Sequence, residues 1–286
     1  RERAVSLPLI ALGLVAGSAV GVATSGDVAA SMIALVVVAV LASALCLGFG
    51  VGPPGALFFV LVNGVSSHLA APKALDGAGM SPILVVGMLA MGCAIAYLVV
   101  LAPLALAGVR ERDAVLHRER STVSFRLDEI NRTILERIVV GAAIAALVSS
   151  PLGIHRAYWV MVTVIAILQN GHRLRLTALR AVHRVLGTLV GVGVFALIAL
   201  AAPHGVWLGV LLMALQFLVE LVVIRNYGLA LVLITPLALT IASQADAGQV
   251  ASAVLERVGD TLLGATIALF VLLGAFVAHR VAARGR

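Results

Sequence analysis

Glu220 and Gln216 lie four residues apart in a long apolar run, so on a helix they share one face as a polar stripe. A carboxylate so placed is costly in hydrocarbon and needs a task. Taking up a proton on one side of a membrane and releasing it on the other would couple transport to the proton gradient. The alternative is that Glu220 pairs with Arg180, Arg184 or Arg225 and ties helices together. Arg184 heads the run Arg184-Val-Leu-Gly187-Thr188-Leu-Val-Gly191, and Arg173 and Arg180 precede it. Its guanidinium can hold a carboxylate bidentately, which a lysine cannot reproduce; snorkelling to lipid phosphate is the plainer use. Arg257 and Asp260, three apart at the outer start of the last apolar block, suit a structural ion pair, a gate or an anion site. Asn63-Gly64 and Thr235-Pro236 are read as breaks in two apolar helices. Such breaks free backbone groups near the midplane, where they mark a transport path or a tolerated proline kink.

Catalytic chemistry finds little foothold. HExxH, CxxC and GxSxG are all missing, and the one lysine, Lys73, sits in Ala-Pro-Lys-Ala rather than a phosphate loop, so no ATP site of the Walker type can form. The 7 histidines are scattered without ligand spacing, and Cys46 and Cys93 fall inside apolar blocks as packing residues. No cofactor, metal or catalytic residue is expected, and the chain reads as a non-enzyme.

The elements that must position these residues follow from composition. Of 286 residues 62% are apolar and 12% charged, against about 45–50% and 25% in soluble domains. The apolar residues form blocks of spanning length, so the expectation is an all-α, polytopic membrane protein. Ten transmembrane helices are placed at Leu7–Thr24, Val28–Gly50, Gly55–Ala70, Pro82–Ala107, Ile134–Ser150, Arg156–Asn170, Val185–Ala202, Gly205–Ile224, Gly228–Ser243 and Val258–Ala283. With the N-terminus inside, 17 of the 20 lysines and arginines fall on one side, which sets both termini in the cytoplasm. The net charge of +7 is thereby a topological signal, and no nucleic-acid partner is implied. Trp207 and the pair Tyr158-Trp159 fall at the expected outer interface, where amphipathic rings settle.

An offset of 174 residues lays Gly13 and Gly17 on Gly187 and Gly191, both GxxxG pairs that let helices approach closely. The next three helices then fall on later counterparts. The organisation expected is an incomplete four-helix repeat over 1–107, a charged cytoplasmic linker over 108–133, and a six-helix repeat over 134–286. The first repeat lacks its two opening helices, so two further spans are expected upstream. Even-numbered units relate as parallel repeats about the membrane normal.

The stretch from Tyr158-Trp159 to Gln169, the run from Arg184 to Gly191, and Arg225-Asn226-Tyr227 through Thr235-Pro236 resemble the fusaric acid resistance-like, or aromatic acid exporter, family of bacterial inner-membrane proteins. Pro53-Pro54-Gly55-Ala-Leu-Phe58-Phe59 looks like the matching segment of its N-terminal half. The resemblance implies proton-driven export of small, often aromatic, carboxylates and a relationship to plant malate channels. It places weight on Tyr158, Trp159, Gln169, Arg184, Asn226 and Tyr227. The long soluble domain of some members is not expected here. The reading is a secondary exporter of small organic anions in the inner membrane. Substrate enters past Arg173, Arg180 and Arg184, and Glu220 carries the proton. A passive anion channel and a non-transporting scaffold remain alternatives. The lipid bilayer and the anion are the partners, and a homo-oligomer is left open.

Overall fold

A computed structural model describes residues 2–52, 55–75, 77–105, 125–169, 174–243 and 250–284. Among them there are helices and no strand. In chain order they are α1 (Glu2–Thr24), α2 (Val28–Gly48), α3 (Leu57–Ala70), α4 (Pro82–Leu101), α5 (Glu129–Ser149), α6 (Ile154–Leu168), α7 (Leu174–Ala201), α8 (Val206–Val222), α9 (Tyr227–Ser243) and α10 (Val250–Arg284). Each expected segment is thus found as a helix. Six are long and apolar enough to cross a membrane, and the chain is a multi-pass membrane protein. The other four, α3, α6, α8 and α9, are apolar but shorter. At 1.5 Å per residue, the 14 residues of α3 reach only about 21 Å, less than the ~30 Å hydrocarbon core. Most of the charged linker, Arg173 and Pro53-Pro54 lie outside the described residues.

Local chemistry sets the helix ends. The Asp27 carboxylate accepts from the Ala30 amide at 2.7 Å and caps α2, and Asp128 does the same for α5 through the Asn131 amide at 2.7 Å. Between α5 and α6 stands Gly153, whose φ of 89° falls where a side chain would be strained.

The chain divides into two compact units, 1–131 with 148–158, and 132–147 with 159–286. In the first, α1 packs most extensively on α3 and also on α4, α2 on α3, and α3 on α4. In the second, α7 packs most extensively on α9 and also on α10, α8 on α9, and α9 on α10. Glycine makes both main contacts close. A Cβ at Gly13 would stand 2.8 Å from the Phe59 ring, and one at Gly21 would collide with the Asn63 carbonyl. Likewise, a Cβ at Gly187 would stand 2.7 Å from the Leu231 Cβ, and one at Gly191 2.6 Å from the Thr235 Cβ.

The breaks expected at Asn63-Gly64 and Thr235-Pro236 do not occur: α3 and α9 run straight through them. The reason is packing. The Asn63 side chain donates to the Gly17 carbonyl at 2.9 Å, while Gly64 makes room for the Tyr158 side chain. Pro236 has no N–H for the carbonyl four residues back, that of Val232, and this oxygen faces Gly191, 3.1 Å from where a Cβ would be. The glycine thus lets a neighbouring backbone cover the freed carbonyl, and the helix survives its proline.

Candidate functional site

Asn226 prepares the site by capping α9: its side-chain oxygen accepts from the Leu229 amide at 3.1 Å. This starts the helix at Tyr227 and presents that ring to α7. Arg184, only 4% exposed, donates from Nη1 to the Tyr227 hydroxyl at 3.1 Å and from Nη2 to the Thr163 hydroxyl of α6 at 3.2 Å. One turn earlier on α7, the Arg180 guanidinium lies over the Tyr227 ring at 4.4 Å from its centroid. The two positive charges repel. Among the described residues no carboxylate pairs with either, and the Nε of each finds no acceptor. A buried cation without a counter-charge is costly, and the two guanidiniums offer only donors here. Such an arrangement can take an anion.

The same polar face continues along α7. Thr188, one turn beyond Arg184, and Thr235, seated on Gly191, are both buried, and neither hydroxyl finds a hydrogen-bond partner. A second buried guanidinium, that of Arg257, stacks on the Trp159 ring at 3.7 Å from its centroid. Trp159 and Thr163 are four apart on α6, so the guanidinium groups of Arg257 and Arg184 reach one face of that helix a turn apart.

This placement corrects the expected one for two groups. The last helix begins at Val250, not at Val258, so Arg257 and Asp260 lie inside a candidate span, Ala251–Ala278, rather than at its outer start. Both are buried, and the indole face shelters the arginine from lipid. Tyr158 is likewise buried against Gly64, and Trp159 lies under Arg257, so neither ring serves mainly as an interfacial anchor. Trp207 is 75% exposed. Gln169 ends α6 in a turn.

Glu220 stands apart from the arginines. It is exposed on α8 and accepts from Gln216 Nε2 at 2.8 Å; among the described residues it forms no ion pair with Arg180, Arg184 or Arg225. The polar stripe is therefore present, but not the expected ties to arginine. Sequence reasoning missed Thr163 and Thr188. The four-residue spacing of Arg180, Arg184 and Thr188 carried a signal for Thr188; nothing in the apolar run around Thr163 distinguished it. Among the described residues there is no metal-binding group of histidine, cysteine or carboxylate side chains.

Residues 138–271, which include all these arginines and their partners, match the family described as fusaric acid resistance protein-like. A curated relative, the uncharacterized membrane protein YvaC of Bacillus subtilis (strain 168), is 33% identical over 118 residues, or 41% of this chain. The match spans 18% of that relative's own length. No solved structure matches the chain.

Proposed function

For a membrane protein that is fusaric acid resistance-like over residues 138–271, we propose secondary export of small organic anions, chiefly aromatic carboxylates, across the bacterial inner membrane, with both termini in the cytoplasm. The observation that carries it is Arg184. A guanidinium inside a spanning helix, held by two neutral hydroxyls and backed by a second arginine, is arranged to receive a carboxylate. Tyr227 and Thr163 fix the plane of the fork, and Arg180 raises the positive potential beside it. The matching helix pairings within each of the two units support a duplicated scaffold. The counterparts of Arg180 and Arg184 at the 174-residue offset are Ser6 and Ile10, so the anion site belongs to the second repeat alone.

Proton coupling is assigned to Glu220, which Gln216 steadies by its hydrogen bond. The channel reading draws on the separation of Glu220 from the arginine cluster, since an uncoupled path needs no carboxylate. The test is accumulation of labelled benzoate by liposomes holding the full chain under an imposed proton gradient. Wild type should concentrate benzoate; Arg184→Gln should not, and Arg184→Lys should not restore it, because an ammonium cannot hold both hydroxyls and a carboxylate in one plane. Downhill flux that survives Glu220→Gln unchanged would favour the channel, and no flux of any tested anion would overturn both.

A further inference from the structure

We propose that Thr188 and Thr235 form a second anion station, deeper along α7 than Arg184, which takes over the carboxylate from the guanidinium during passage; the inference rests on the exporter reading. A threonine inside a helix ordinarily settles its hydroxyl on the carbonyl four residues back. This chain follows that habit at Thr261, bonded to the Arg257 carbonyl at 2.8 Å, and at Thr266, bonded to the Leu262 carbonyl at 2.8 Å. Thr188 and Thr235 depart from it. They are 1% and 0% exposed, yet among the described residues neither hydroxyl bonds to anything. Buried donors left unpaired are rare and call for an explanation.

Their placement supplies one. Thr188 follows Arg184 by one helical turn, about 6 Å of rise, on the same face of α7. Thr235 packs against Gly191, the next small residue of that face, where a Cβ would stand 3.1 Å from the Thr235 Oγ1. The sequence of groups along the face is therefore two guanidiniums and then two hydroxyls, all donors. An anion held by Arg184 alone would be trapped in a deep well. Conduction needs a weaker neighbouring site to which it can move, and two neutral hydroxyls, Thr188 one turn on and Thr235 beside Gly191 about two turns on, are that site.

Benzoate binding to the full chain in nanodiscs, benzoate flux in liposomes and thermal unfolding, each measured on the double variant Thr188→Val with Thr235→Val, test the proposal. Valine keeps the shape and removes the hydroxyl. Expected are benzoate affinity within about twofold of wild type, maximal flux lowered about tenfold or more, and a Tm equal to or above wild type, since no hydrogen bond is lost. The double serine variant should restore flux. Unchanged flux in the valine variant would overturn the station while leaving the exporter reading intact, and so would a lowered Tm, which would reveal hydroxyls bonded within the scaffold. Wild type that shows no saturable benzoate binding would overturn the exporter reading and the station with it.

Discussion

The Tyr227 hydroxyl accepts a hydrogen bond from Arg184 Nη1 at 3.1 Å, joining the first residue of α9 to the middle of α7. This bond orients the buried guanidinium without neutralising it. Tyr227→Phe should therefore weaken benzoate binding by about 1 kcal/mol, roughly fivefold, and leave the protein folded. Equilibrium binding to the purified variant measures it; unchanged affinity would show that Thr163 alone orients the fork.

Arg257 depends on Trp159 for shelter. Trp159→Leu keeps an apolar side chain but removes the ring face, and stability in detergent should fall by about 0.5–2 kcal/mol. Trp159→Phe should recover part of the loss. Equal melting temperatures for the two variants would dismiss the stacking as energetically idle.

Substitution of glycine on α7 should depend sharply on the face it occupies. Gly191→Leu drives a side chain into Thr235 and the Val232 carbonyl, with an expected loss of about 3 kcal/mol or more by overpacking. Nothing lies near a Cβ at Gly193, so Gly193→Ala should be neutral or stabilising by up to about 1 kcal/mol. Thermal unfolding compares them, and similar Tm values would contradict the close α7–α9 contact.

Asn63→Leu removes the bond to the Gly17 carbonyl inside the first unit and leaves that acceptor to its own helix. A loss of about 0.6–2 kcal/mol is expected. Benzoate affinity should stay as in wild type, because Arg180 and Arg184, the residues proposed to bind it, lie in the other unit. A coupled loss of affinity would place Asn63 in the transport path after all.

Much of the scaffold was legible in the residues themselves. Apolar block length set the existence of the described helices, because a chain in hydrocarbon must satisfy its backbone internally, but not all their limits: α7 begins at Leu174 rather than Val185 and α10 at Val250 rather than Val258, since both run on through charged residues that apolar length does not count. Gly13, Gly187 and Gly191 announced close contacts, since small residues at GxxxG spacing let helices approach closely, whereas a Cβ at Gly17 would meet only an ordinary contact with the Phe59 carbonyl at 3.7 Å. Arg184 stood out as the last residue of the basic connection and the head of the GxxxG run; the structure places it inside α7 instead. What those groups do to one another could not be read along the chain. Pro236 predicts a break by its chemistry, but a glycine 45 positions earlier, Gly191, covers the carbonyl it frees. Arg257 looked like the start of a helix because composition cannot show an indole waiting to cover it. The cluster proposed to take the anion is made by tertiary structure alone: Thr163, Arg184 and Tyr227 come from three helices. Hydrogen bonding acts over some 3 Å, a range that folding, rather than sequence spacing, closes.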